Sequence, residues 1–139
     1  MRIGTLLLIS ILFVMALVSA VLWRWPAYQR NQQQKSGFQA AELGAHLSYL
    51  ENRYRHFHGT FTEDFSQLQP YADEKMPCAL TSSPYLCGGY AYTLEGHWLV
   101  MASQLNPEDY LAFELLQGGV DCSHAPEGLE KTPICSSLQ

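Results

Sequence analysis

The chain has 139 residues, 47% of them apolar, and a formal net charge of -5. That length suits one small domain with an anchor rather than two full domains. All thirteen acidic residues lie beyond position 41, and no basic stripe with interleaved aromatics accompanies them, which argues against nucleic-acid binding.

Residues 5–23 contain no charge and no proline, and only Thr5, Ser10 and Ser19 are polar. As a helix this stretch covers about 28 Å, close to the thickness of a bilayer's hydrocarbon core. The alternative is a cleaved secretory signal, whose apolar region usually runs to about 7–15 residues. Ser19-Ala20 supplies small residues for cleavage, but Trp23-Arg24-Trp25-Pro26 follows at once and reads as an interfacial anchor. Arg2 precedes the span, whereas Arg24, Arg30 and Lys35 follow it, so a literal positive-inside count places the C-terminal part in the cytoplasm. The cysteines argue for the opposite orientation. Cys78, Cys87, Cys122 and Cys135 are even in number and confined to the C-terminal part, which predicts disulfides and an oxidising compartment. Their spacings of 9, 35 and 13 contain no close pair of the kind that binds zinc.

Beyond the span, Pro26 removes a backbone donor and is expected to kink or loosen the helix. Leu43, Leu47, Leu50, Tyr54 and Phe57 then step by four, three, four and three, a helix with a narrow apolar stripe. Glu42, His46, Glu51, Arg53 and Arg55 are assigned to its polar face. Gly37 and Gly44 each cost about 1 kcal/mol relative to Ala inside a helix. The pattern predicts one helix from about residue 5 to 56, whose inner half has no partner within the chain.

Gly59 is the expected left-handed helix stop. Thr62 is expected to cap a short turn over 63–68 that Pro70 ends. Residues 70–88 are turn-rich. Strand patterns at 89–94 and 97–102 flank Glu95-Gly96 and predict a hairpin. A loop at 106–109 leads to a third strand over 110–116, with a short helix the alternative that its Leu and Glu residues leave open. Gly118-Gly119 breaks it, and residues 120–139 form a tail with little periodicity. Of Tyr85, Tyr90, Tyr92, Trp98, Tyr110 and Phe113, about half should back onto the helix, leaving an outward half for an adhesive or subunit-binding face.

No chemistry-bearing constellation emerges. His56 and His58 lack a third metal ligand and read as surface or capping residues. Glu63-Asp64 and Glu108-Asp109 read as solvated turn carboxylates, and residues 106–109 lack calcium-loop spacing. No Ser-His-Asp or Cys-His motif is present, so the expectation is a protein without catalytic residues, metal or cofactor.

The order of elements resembles type IV pilins and the pseudopilins of type II secretion. Met1-Arg2-Ile3-Gly4 is similar to the family's short basic leader ending in Gly. Counted from Thr5, Pro26 is the twenty-second residue, and the Pro-Ala-Tyr-Gln string at 26–29 and the Tyr-x-x-x-x-Gly-Thr-Phe run at 54–61 also resemble the family. Two departures stand out. The first mature position, usually Phe or Met, is Thr5, and the fifth, usually Glu, is Ile9.

The resemblance implies an α+β fold, with a long N-terminal helix packed on a three- to four-stranded antiparallel meander. It divides the chain into a leader (1–4), a transmembrane helix (5–25), its amphipathic extension (26–58) and a globular region with a disulfide-bounded C-terminal loop (59–139). It implies cleavage between Gly4 and Thr5 by a prepilin peptidase, N-terminal methylation, a helix kink at Pro26, and a periplasmic C-terminal domain on a single-pass inner-membrane protein. It implies disulfides Cys78–Cys87 and Cys122–Cys135, although four cysteines allow three pairings and the sequence leaves them open. The implied partners are other pilin or pseudopilin subunits, the inner-membrane assembly platform and membrane lipid. The implied function is that of a minor or tip-type filament subunit of a pilus, secretion or competence system. Ile9 supports the alternative of a membrane-tethered periplasmic binding module that never polymerises.

Overall fold

A computed structural model describes residues 2–126, 128–129 and 132–136. Met1 of the expected leader, and the end of the tail at 137–139, lie outside the described residues. Helix α1 runs over Arg2–His58, with Pro26 inside it. A 3-10 helix η1 (Phe65–Tyr71) follows, then strands β1 (Tyr85–Cys87), β2 (Tyr90–Glu95), β3 (Trp98–Ser103), β4 (Tyr110–Glu114) and β5 (Val120–Asp121), and a short helix α2 (Pro133–Ser136). The chain divides into two compact units, Met1–Lys35 and Ser36–Gln139.

In the first unit the large apolar side chains of α1 are exposed along the whole segment, among them Leu6, Leu12, Phe13 and Leu22. Both serines are satisfied by the helix itself: the Ser10 hydroxyl donates to the Leu7 carbonyl at 2.8 Å, and that of Ser19 to the Met15 carbonyl at 2.9 Å. Such back-bonding is how hydroxyls are accommodated in an apolar medium. Trp23, Trp25 and Tyr28 follow, all exposed.

In the second unit the strands form one antiparallel sheet in chain order, β1-β2-β3-β4-β5. The α+β arrangement is the one expected, but the sheet has five strands rather than three or four. The additional edges, β1 and β5, are three and two residues long, too short to carry a period-two pattern; pairing with β2 and β4 defines them. Glu95 pairs with Trp98, so the hairpin turn is Gly96-His97, one residue later than the sequence suggested, with Gly96 at φ +64°. Asp64 rather than Thr62 caps η1, accepting the Ser66 N–H at 3.1 Å, and Pro70 lies within the 3-10 helix instead of ending it beforehand.

One face of the sheet carries Tyr92, Leu99, Met101, Leu111 and Phe113, which are buried with Leu43, Leu47 and Leu50 of α1 and Phe65 and Leu68 of η1. Gly44 lets the helix approach: a Cβ there would meet the Phe113 ring at 2.5 Å. The glycine that weakens the helix locally is therefore the one β4 requires. The Tyr92 hydroxyl donates to the Ala40 carbonyl at 2.7 Å, a buried bond between β2 and the helix backbone.

Candidate functional site

The residues singled out by the sequence fall in four places. Gly4 and Thr5 lie in the first turns of α1, and a Cβ at Gly4 would meet nothing within 4 Å. Ile9 is 63% exposed on the same helix. Disulfides join Cys78 to Cys87 across 9 residues and Cys122 to Cys135 across 13, each with Cα atoms 5.8 Å apart. The first fastens the turn-rich loop to edge strand β1; the second closes the segment after β5 onto α2. His58 lies at the end of α1, its Nε2 2.9 Å from the Tyr71 hydroxyl and its ring stacked on Tyr54 at 4.1 Å. It thus belongs to an aromatic cluster with Phe57, which is stacked on Tyr71 but 66% exposed rather than in the core stripe. Among the described residues no three His, Cys, Asp or Glu side chains converge as a metal site.

The largest departure from the sequence reading is Glu51. Assigned to the polar face, it is fully buried, one helical turn beyond Leu47 on the core side of α1. Its Oε2 accepts the Thr62 N–H at 3.1 Å, pinning the chain where it leaves the helix, while Oε1 has no hydrogen-bond partner among the described residues. Burial pushes the carboxyl up to about 7 against the opposing pull of the Thr62 N–H. Helical periodicity could have flagged it, since Glu51 follows Gly44 and Leu47 at the seven- and four-residue offsets of one face; a carboxylate simply has no apolar signal to register. Nearby, Arg53 reaches from α1 to Asp73 at 3.0 Å and to the Tyr71 carbonyl at 3.2 Å, fastening the following loop.

The sheet aromatics divide unequally. Tyr85 and Tyr92 are fully buried and Phe113 nearly so, and Tyr90 packs against the same core. Trp98 and Tyr110 stand on the opposite face, half-buried. What the arrangement offers is surface: a bare apolar helix segment in one unit, and in the other a disulfide-stapled domain with a partly apolar outer sheet face. No family model, no curated protein and no solved structure matches this chain.

Proposed function

We propose that the protein is a membrane-anchored structural subunit of the type IV pilin or pseudopilin kind, minor or tip-type, which assembles through its apolar N-terminal helix. One observation carries the reading: the apolar segment of α1 is long enough to cross a membrane and none of it is buried, while the second unit has a closed core of its own. A helix apolar on all sides is stable only in lipid or against similar helices. The anchor holds the subunit in the bacterial inner membrane with its disulfide-bonded head in the periplasm, and exchange of lipid contacts for helix contacts drives polymerisation. Gly4–Thr5 is the processing point. With Ile9 at the fifth mature position, the subunit lacks the carboxylate that would pair with a neighbour's N-terminal ammonium, which suits a position where that pairing is not required.

The test is disulfide crosslinking of Leu12→Cys and Val18→Cys variants in cells that contain the assembly machinery, with N-terminal sequencing of the mature protein. Crosslinks between subunits and a Thr5 start are expected. Absence of crosslinks together with an intact Met1 favours the second reading, a non-polymerising periplasmic binding module, to which Ile9 also points.

A further inference from the structure

The strand register lays out the solvent-facing side of the sheet in three rows. Glu95, Trp98 and Glu114 are cross-strand partners in the first; Thr93, Val100, Ala112 and Asp121 in the second; Ala91, Ala102 and Tyr110 in the third. Trp98 rises from the first row and Tyr110 from the third, with the small side chains of Val100, Ala102 and Ala112 between them. The result is a trough of about 460 Å³ whose floor is Val100, Ala102 and Ala112, with Trp98 on one side and Tyr110 and Pro107 on the other. Trp98 and Ala102, the partner of Tyr110, are four residues apart along β3, so the walls stand about 13 Å apart at the backbone, room for one peptide segment.

The permanent charge is one-sided, with two histidines beside it: His97 Nε2 lies 3.8 Å from the Glu114 carboxylate, and the His124 ring is stacked on Tyr110 at 4.8 Å. Glu95 and Asp121 border the trough, and Glu114 lies in the Trp98 row. The Asp121 carboxyl is held below the usual range by hydrogen bonds from the Ser123 N–H and hydroxyl, so it stays ionised. Among the described residues, no Arg or Lys lines the trough. Of the basic residues beyond position 35, Arg53 and Arg55 are on α1, Lys75 is in the loop after η1, and Lys131 is outside the described residues.

We propose that this outer sheet face docks a basic peptide segment of a partner protein, with an arginine or lysine side chain between Trp98 and Tyr110 and its charge met by Glu95 and Asp121. Half-buried aromatics over a small-residue floor offer contact area and cation–π attraction. The flanking carboxylates select for positive charge and repel phosphate, which disfavours nucleic acids and anionic lipid headgroups as occupants. The inference does not depend on filament assembly, because it concerns the second unit alone.

The probe is a fluorescein-labelled peptide of alternating arginine and leucine, titrated by anisotropy against the full chain in uncharged maltoside micelles. Glutamate-leucine peptide of the same length is the control. Saturable binding of the basic peptide alone is expected, weakened about tenfold by Trp98→Ala and about threefold by each of Glu95→Gln and Asp121→Asn. The two carboxylate variants alter exposed side chains, so they test the idea even if Trp98→Ala disturbs the sheet. Three binding results overturn it: no saturation by the basic peptide, equal binding of the acidic peptide, or an affinity unchanged in the Glu95→Gln/Asp121→Asn double variant. A dimer of the chain itself that Trp98→Ala abolishes also overturns it, by assigning the face to a second copy.

Discussion

Glu51 is fully buried in the second unit, and of its two carboxyl oxygens only Oε2 has a hydrogen-bond partner among the described residues. Its folded carboxyl titrates near 7, against 4.5 for the free side chain. Between those values the folded state holds a proton that the unfolded chain has released, so stability falls as pH rises from about 4.5 to about 7 and levels off above. The loss amounts to about 3 kcal/mol. Glu51→Gln keeps an acceptor for the Thr62 N–H without a buried charge. It is expected to raise the melting temperature by several degrees at pH 8 and to change it little at pH 4.5, as read by circular dichroism. An unchanged pH profile in that variant would place the titration elsewhere. Gly44 gives the opposite kind of prediction. Ala is favoured by about 1 kcal/mol for helix formation, but its methyl would press on the Phe113 ring, which is 4% exposed and has little room to move. Gly44→Ala is therefore expected to destabilise the head by about 1–2 kcal/mol in urea titrations. Tyr92→Phe, which removes the hydroxyl bonded to the Ala40 carbonyl, should cost about 1 kcal/mol in the same assay.

At the scale of elements, patterns long enough to repeat were legible and short ones were not. The stripe Leu43, Leu47, Leu50 marks the core face of α1, and the three residues are buried together. The alternation in β2 and β3 locates the hairpin to within one residue, because aromatic and aliphatic side chains recur on one face. β1 and β5 carry no such repeat. Their places depend on edges offered by β2 and β4, and on cross-links within residue separations of 9 and 13. Phe57 continues the stripe in spacing yet leaves the core, since the helix ends at His58 and the chain turns at Gly59, φ +82°, leaving the ring to stack on Tyr71. The disulfides should matter most where secondary structure is sparse. Cys122→Ser with Cys135→Ser opens a loop worth about 3 kcal/mol in the chain-entropy model. The pair of substitutions is expected to lower the melting temperature and to expose the segment after β5 to limited proteolysis.

For the molecule as a whole, two regimes of burial share one helix. Residues 36–58 bury a stripe against η1 and the sheet; the segment before them buries none of its apolar window. The full chain should accordingly require detergent, whereas the fragment 36–139 should remain soluble and monomeric by light scattering. A monodisperse, detergent-free full chain would remove the basis of the proposed assembly. The uncharged run at 5–23, the helical stripe, the hairpin and the even cysteine set could all be read from the sequence, because each is a local or periodic property of neighbouring residues. The partners of the cysteines, the fifth strand, the reason for Gly44 and the burial of Glu51 were decided only by tertiary structure. Each depends on a contact between elements: the cysteine pairs and the β4–β5 pairing join separate elements, Phe113 fills the space a Cβ at Gly44 would need, and Glu51 shares the core face of α1 in spacing but carries no apolar signal there.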